Sequence, residues 1–348
     1  MPTTITAELS SALQATVRSE MARIGAPGMS VAIRLPSGEL WTGVSGFAAF
    51  SPDRPVTRKT VFAIASITKT FVASLIMKLA EDGVLTIDDP LADYLPDFRR
   101  ARRITLRMLL AHTSGVFDYF TSAAYAREVF ADTTRRWTFD EILGFVGPSY
   151  CRPGECYHYS NTNFVLLGRV AELATGEPIA QLLRERLFDP AGLTRTIFQP
   201  DATTPLDAAH GFLTNRRGFV DHTGESRVIP HMSAATVAWS AGAIASTPSD
   251  LALWATSLYG GHVLAPESLA QMLTFRPDDD YGLGTRLHIY RGRTCVGHTG
   301  SIRGFANEMW YFPDDGVSIV MLQNRGKILT HNVIKAILGT LTGVTAAP

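Results

Sequence analysis

The chain has 348 residues, 46% of them apolar and 18% charged, with 32 basic residues against 32 acidic ones. That length supports a large core and two domains, and the balanced charge supplies no global field to draw nucleic acid or an anionic membrane. No apolar run approaches the ~20 residues needed to cross a bilayer, so a small-molecule or peptide substrate is the expected partner, not nucleic acid or membrane.

A helix is predicted over residues 8–23. Two strand segments follow, 29–35 and 40–47, with Pro36-Ser37-Gly38 as the hairpin turn between them. Residues 1–6 have neither a basic n-region nor an apolar h-region and do not read as a signal peptide. A cytoplasmic location is expected for the chain as written, a periplasmic or secreted one if it is a mature form. The next helix opens near Ser66, and its apolar run over 71–80 ends at the capping Gly83. Ser66 and Lys69 stand three apart, so they are neighbours on that helix. A helix N-terminus favours negative charge, which suits a serine with alkoxide character. Alone, the pair also reads as an N-cap serine beside a solvated lysine.

Turns at Asp88-Asp89-Pro90 and Leu95-Pro96-Asp97 lead into a mainly helical region with segments at 105–110, 139–146, 163–174 and 179–187. Arg99, Arg100, Arg102 and Arg103 read as a solvated loop face, and His112 as a structural loop residue. Cys151 and Cys156 flank Arg-Pro-Gly-Glu, close enough for a small-loop disulfide, while Cys295 stands alone; reduced thiols are expected. Strand character returns after Tyr281. Segments 305–312 and 317–322 are joined by a Pro-Asp-Asp-Gly turn, and a helix near 329–340 follows. The fold class is therefore α/β of the α+β type. Residues 1–85 and 241–348 form one domain with an antiparallel sheet flanked by helices, and 86–240 an inserted mainly helical domain.

Two further tripeptides change the weight of Ser66 and Lys69. Tyr159-Ser160-Asn161 follows the Pro153-Gly154 turn and opens an apolar helical run, and His298-Thr299-Gly300 lies far downstream. S-x-x-K, then Y-S-N, then H-T-G, in that order, is the signature of penicillin-recognising serine enzymes. A second copy, His222-Thr223-Gly224, sits in a polar, turn-rich stretch, whereas the copy at 298 precedes the two strands. A site that docks substrate along a strand edge needs the latter setting, so His298 is assigned and His222 read as a loop residue. The nine histidines include no H-E-x-x-H, and there is no C-x-x-C, so neither metal nor cofactor is expected. G-x-S-x-G, the nucleophile elbow of α/β-hydrolases, is absent.

On these three motifs the chain resembles the serine β-lactamase and DD-peptidase superfamily, on its class C side. Gly25-Ala26-Pro27-Gly28, Ile104-Thr105-Leu106-Arg107, His112-Thr113-Ser114-Gly115, Ser240-Ala241-Gly242-Ala243 and Tyr281-Gly282-Leu283-Gly284 extend the resemblance over nearly the whole length. The secreted actinomycete D-alanyl-D-alanine carboxypeptidases of that superfamily also carry a histidine in the third motif. The resemblance implies a β-lactamase/transpeptidase-like fold with the site in the cleft between the domains. It makes Ser66 the nucleophile of an acyl-enzyme, with Lys69 and Tyr159 sharing the proton and the identity of the base left open. Asn161 would hold the lysine and donate to the substrate carbonyl. The backbone N–H groups of Ser66 and Ser301 would receive the oxyanion.

His298, Thr299 and Gly300 would line the substrate strand, the histidine giving a weaker and pH-dependent charge than lysine. Arg286 would hold a substrate carboxylate; on its own it reads equally as an exposed strand arginine. Trp239 would line the cleft, although a lone tryptophan also suits the core. The expected function is a penicillin-binding serine hydrolase of the D-alanyl-D-alanine carboxypeptidase type. The alternative is an esterase, D-amino-acid amidase or D-aminopeptidase on the same residues, then a class C-like β-lactamase. A β-lactam sensor would need a membrane segment that the sequence does not contain.

Overall fold

Apolar runs from the two ends of the chain pair into one sheet, and the elements packed against it place Ser66. The computed structural model describes residues 1–50, 52–201, 207–216, 218–223, 229–326 and 330–343. Arg217, Gly224 of the second His-Thr-Gly and the expected start of the last helix at 329 lie outside them.

Helix α1 (Ala7–Ile24) starts where the Thr6 hydroxyl accepts the Leu9 N–H and stops at Gly25 in the left-handed region. Strands β1 (Gly28–Arg34) and β2 (Leu40–Ala49) form the expected hairpin, followed by the short β3 (Arg54–Pro55) and β4 (Phe62–Ala63). A 3₁₀ turn, Ala65–Ile67, feeds α2 (Thr68–Glu81). Then come α3 (Leu106–Leu110), α4 (Ala123–Glu128), α5 (Phe139–Leu143), α6 (Asn161–Thr175) and α7 (Ile179–Leu183), the last continuing as a π turn over Arg184–Phe188. Strands β5 (Ile197–Phe198), β6 (Phe212–Asn215) and β7 (Gly218–Asp221) precede α8 (Met232–Gly242), β8 (Ile244–Ser246), α9 (Pro248–Tyr259) and α10 (Pro266–Met272). The chain finishes with β9 (Arg286–Tyr290), β10 (Arg293–Ile302), β11 (Phe305–Phe312), β12 (Val317–Gln323) and α11 (His331–Leu341).

The main sheet has seven strands in the order β3-β2-β1-β12-β11-β10-β9, antiparallel throughout. Its central strands are buried on both faces, which is why β11 and β12 are mostly apolar without a strict alternation, their polar Asn307, Glu308 and Ser318 also being buried. On one face Leu13 and Val17 of α1 and Ile334 and Ile337 of α11 pack on Val31, Ile33 and Ile319. On the other face α9 and the 3₁₀ turn before α2 pack on the sheet, and one apolar cluster continues from there through α2, α6 and α8.

Helix α2 is buried from Thr68 to Met77. Each of its Phe71, Leu75 and Ile76 side chains contributes roughly 1.5–3 kcal/mol by leaving water. Phe71 stacks on Trp254 of α9 at 4.1 Å between ring centroids, and the indole N–H donates to Thr70 Oγ1. The helix that follows Ser66 is thereby held in the middle of the molecule, not at its surface. None of the described helices is long and apolar enough to cross a membrane.

One expectation is overturned here. Cys151 and Cys156 form a disulfide, with their Cα atoms 6.3 Å apart. The tight turn between them, with Gly154 at φ +84°, folds the chain back so that the two thiols meet. The backbone around this small loop bonds to the His112–Gly115 segment through Gly154 N–H to Thr113 O and Tyr150 N–H to Gly115 O. Cys295 is free and buried.

Candidate active site

Ser66 stands at the entrance of α2, in the 3₁₀ turn, after a residue with an unusual backbone. Ala65 adopts φ +50°, a left-handed conformation that a side chain disfavours and that persists only where the surroundings hold it. Ile64 is tied to β8 by its N–H to Ile244 O, and β10 crosses directly against the turn. A Cβ on Gly300 would lie 2.0 Å from the Ile64 carbonyl oxygen. Glycine is thus required at the third position of His298-Thr299-Gly300, and its approach brings Ser301 beside the serine's turn. Strand β9 pairs with β10 only from Arg286, opposite Gly297, onward through Arg293. Residues 298–302 of β10 therefore present an edge that β9 leaves free, where an extended substrate can add as a strand.

Lys69 is fully buried. Its Nζ lies 3.3 Å from Ser66 Oγ and 2.8 Å from both Asn161 Oδ1 and the Ala241 carbonyl oxygen. Burial pushes its proton affinity down to about 7, with Asp118 acting to raise it and Arg286 to lower it. A neutral amine has two N–H donors and one lone pair. In that form the two carbonyl oxygens can take both donors, which leaves the lone pair for Ser66; in the ammonium form the third N–H donates to Ser66 Oγ. Burial raises the Tyr159 phenol well above its ordinary value, against the opposing influence of Ser66 and Arg286. The tyrosine ring lies 5.0 Å from Lys69 Nζ.

Ala241 reaches the lysine because α8 is broken at Trp239, whose φ of 38° and ψ of −127° are not helical. Trp239 itself is partly buried, with its ring 6.3 Å from Phe139. Asn161 opens α6; its amide oxygen holds Lys69 as expected, while its Nδ2 donates to the Asp118 carboxylate at 3.2 Å.

His298 departs from its expected role as a pH-dependent charge. It is 1% exposed, and burial, Arg286 and Lys69 together push its proton affinity well below the ordinary value. Its partners explain how it stays neutral. His112 Nδ1 accepts the Ser160 N–H, which leaves His112 Nε2–H to donate to Tyr281 Oη at 3.2 Å. Tyr281 in turn donates to His298 Nε2 at 3.1 Å, and His298 Nδ1–H donates to the Thr299 carbonyl. His112 is thus a loop residue with a satisfied ring, but one that underlies Tyr159 at 4.2 Å between rings.

The positive charge beside Tyr159 and Tyr281 comes instead from Arg286. It is partly buried, not an exposed strand residue, with its guanidinium 5.3 Å from the Tyr159 and Tyr281 rings. Its Nε is buried and without a hydrogen-bond partner. His222 lies elsewhere, with Nδ1 accepting from Arg303. A cavity of about 760 Å³ lined by Leu95, Phe98, Phe117, Phe139, Leu143 and Val146 contains none of the motif residues.

The beta-lactamase family pattern matches residues 13–341. The chain belongs to the beta-lactamase family. It is 28% identical to penicillin-binding protein 4 of Amycolatopsis lactamdurans, over 91% of this chain and 86% of that protein. It is also 28% identical to a D-aminopeptidase of Brucella anthropi over 90% of this chain, which spans 59% of that longer protein. The crystal structure of a D-amino acid amidase from Ochrobactrum anthropi SV3, complexed with L-phenylalanine, superposes with a TM-score of 0.85 at 29% identity. That match covers 97% of this chain and 99% of the amidase. As a member of that family the chain is a serine hydrolase.

Sequence reading brought together Ser66, Lys69, Tyr159, Asn161, Arg286 and the 298–301 strand. It missed Asp118, Tyr281 and the Ala241 carbonyl. Asp118 had a local signal, since it follows His112-Thr113-Ser114-Gly115 by three residues.

Proposed function

We propose that this chain is a serine amidohydrolase acting on amides or short peptides of D-amino acids through an acyl-enzyme on Ser66. The observation that carries the chemistry is the dry, neutral-leaning Lys69, its two N–H bonds taken and its lone pair toward Ser66 Oγ at 3.3 Å. In this reading Lys69 takes the serine proton as Oγ attacks the carbonyl carbon. The Ser66 and Ser301 backbone N–H groups receive the developing oxyanion. Tyr159, whose phenol stays protonated because burial disfavours the phenolate, relays the serine's proton: it gives its own to the departing amine as it takes the one held by Lys69, so both side chains return to their neutral forms. Water then takes the amine's place and hydrolyses the ester. Thr299 and Gly300 guide the substrate along the free edge of β10.

The substrate class draws its support from the relatives. A D-amino acid amidase of nearly the same length shares the fold from end to end, and a D-aminopeptidase shares the sequence. These favour the amidase alternative over the D-alanyl-D-alanine carboxypeptidase. The carboxypeptidase stands as a second reading on one observation, the buried and unpartnered Nε of Arg286 beside Tyr159, since a guanidinium grips a carboxylate with two charge-assisted bonds.

The test is a substrate panel with wild type and Ser66→Ala. D-phenylalanine amide and D-alanine amide should be hydrolysed, their L-forms far more slowly, and neither by Ser66→Ala. Release of D-alanine from an N-acyl-D-alanyl-D-alanine peptide without amide turnover would replace the first reading by the second. Turnover by Ser66→Ala at the wild-type rate would end both.

A further inference from the structure

A carboxamide is nearly the same shape either way round, so something must decide that the oxygen end of Asn161 faces Lys69. The neighbour that decides is Asp118. Its side chain is 7% exposed, and its Oδ1 accepts the Asn161 backbone N–H at 3.1 Å, Asn161 Nδ2 at 3.2 Å and the Phe120 N–H at 3.2 Å. Oδ2 accepts from Asn161 Nδ2 at 3.3 Å. With the amide reversed, its oxygen would face this carboxylate and its NH₂ would face the donor N–H groups of Lys69. The bond from Lys69 and both contacts to the carboxylate would be lost, and two repulsions made.

We propose that Asp118 is a positioning residue for the Ser66 reaction: its carboxylate clamps Asn161 by backbone and side chain, so that the amide oxygen holds Lys69 with its lone pair on the serine. The proposal rests on the reading of Ser66 as nucleophile. It also gives Asp118 a second effect, on how strong a base the lysine is. The charged and titratable groups around Lys69 are Tyr159 beside α6, His112 from the loop after α3, Arg286 from β9 and His298 from β10. Arg286 opposes the ammonium, the two histidines are held neutral, and Tyr159 remains a phenol. Asp118 is the carboxylate that supports the ammonium form. It keeps the lysine basic enough to accept the serine proton, while burial keeps it from being permanently charged.

Asp118→Asn separates the two effects. An asparagine oxygen can still accept from Asn161 Nδ2, but the negative charge is gone. Asp118→Ala removes both. The experiment measures kcat and KM for a D-amino acid amide from pH 5 to 9, the melting temperature, and the rate at which a fluorophosphonate labels Ser66 over the same pH range. Labelling reads the serine's reactivity without knowledge of the natural substrate.

For Asp118→Asn the acid limb of both profiles should move to lower pH by about one unit, the scale expected when a near opposite charge is removed. For Asp118→Ala kcat should fall by about a hundred-fold, the scale of a misplaced catalytic group, with KM changed little. An Asp118→Asn limb that coincides with wild type, with only the melting temperature lowered, would reduce Asp118 to a structural residue and overturn the proposal. Should Asp118→Ala fail to fold, the asparagine variant decides alone. Labelling of wild type that Ser66→Ala abolishes upholds the nucleophile whatever Asp118 does, so the two failures are separable. Absence of labelling at Ser66 refutes the nucleophile and this role with it.

Discussion

Lys69→Met removes an amine that the fold holds against its own preference. Burial takes its proton affinity from 10.5 to about 7, which at about 1.36 kcal/mol per decade is worth about 5 kcal/mol. The sign follows from proton counting. Below pH 7 the lysine is charged in both states, and the folded state bears the full cost. Between 7 and 10.5 the unfolded chain binds more protons than the folded one, so stability rises with pH. Above 10.5 the amine is neutral in both states and the cost is gone. Methionine has no such dependence. The difference in unfolding free energy, wild type minus Lys69→Met, should therefore increase by about 1.4 kcal/mol per pH unit from just above 7 toward 10.

The absolute difference is less diagnostic than this slope, because methionine also leaves Asn161 Oδ1 and the Ala241 carbonyl without their partner, at about 1–3 kcal/mol each. Urea unfolding of both proteins at pH 7, 8 and 9 measures the slope directly. The same amine should set the acid limb of kcat/KM, with activity falling tenfold per unit below about pH 7 as the base becomes protonated. Parallel stability curves for the two proteins, or an activity profile flat down to pH 5, would refute the reasoning.

Gly300→Ala places a methyl 2.0 Å from the Ile64 oxygen, so β10 must withdraw from the serine's turn. We expect a loss of about a hundred-fold in kcat and about 1–3 kcal/mol in stability, read by kinetics and urea unfolding; an unchanged kcat would separate the strand from the oxyanion. Arg286→Ala should raise KM for substrates with a terminal carboxylate and leave that for the matching amides nearly unchanged, and equal effects on both would reject a carboxylate site. Glu308, fully buried on the sheet face away from the cleft, accepts from Tyr290 Oη at 2.6 Å and Trp310 Nε1 at 2.7 Å and pairs with His331. Bonds to a charged group are worth roughly 1.5–3 kcal/mol, so Glu308→Gln should lower stability by at least that much near pH 6. Because His331 is raised by Glu308, that loss should shrink as pH climbs through the histidine's folded value; a loss independent of pH would remove the ion pair from the account.

Residue order alone pointed to the family of this protein and to the groups proposed to act in it. A serine and a lysine three apart on an apolar helix are neighbours wherever that helix packs, and three short motifs in a fixed order named the superfamily and its fold. The helix and strand boundaries around them followed from local periodicity and turn residues, as in α2, α6 and the β11–β12 hairpin. Tertiary structure decided everything that depends on what lies opposite.

Whether Lys69 is charged turns on its burial and on Asp118 and Arg286, which come from loops and strands far away in the chain. Whether His298 carries a charge turns on Tyr281 and His112, and the structure makes it neutral where its residue type suggested a titrating cation. The Ala241 carbonyl became a lysine partner only through the break at Trp239, which no residue pattern announces. Cys151 and Cys156 paired because the turn at Gly154 folds them together, a closeness that spacing permits but does not require. Local sequence determines which groups are available, through steric and hydrogen-bonding preferences that act within a few residues. Their protonation and aim are set by desolvation and Coulomb forces among residues that only the completed fold makes neighbours.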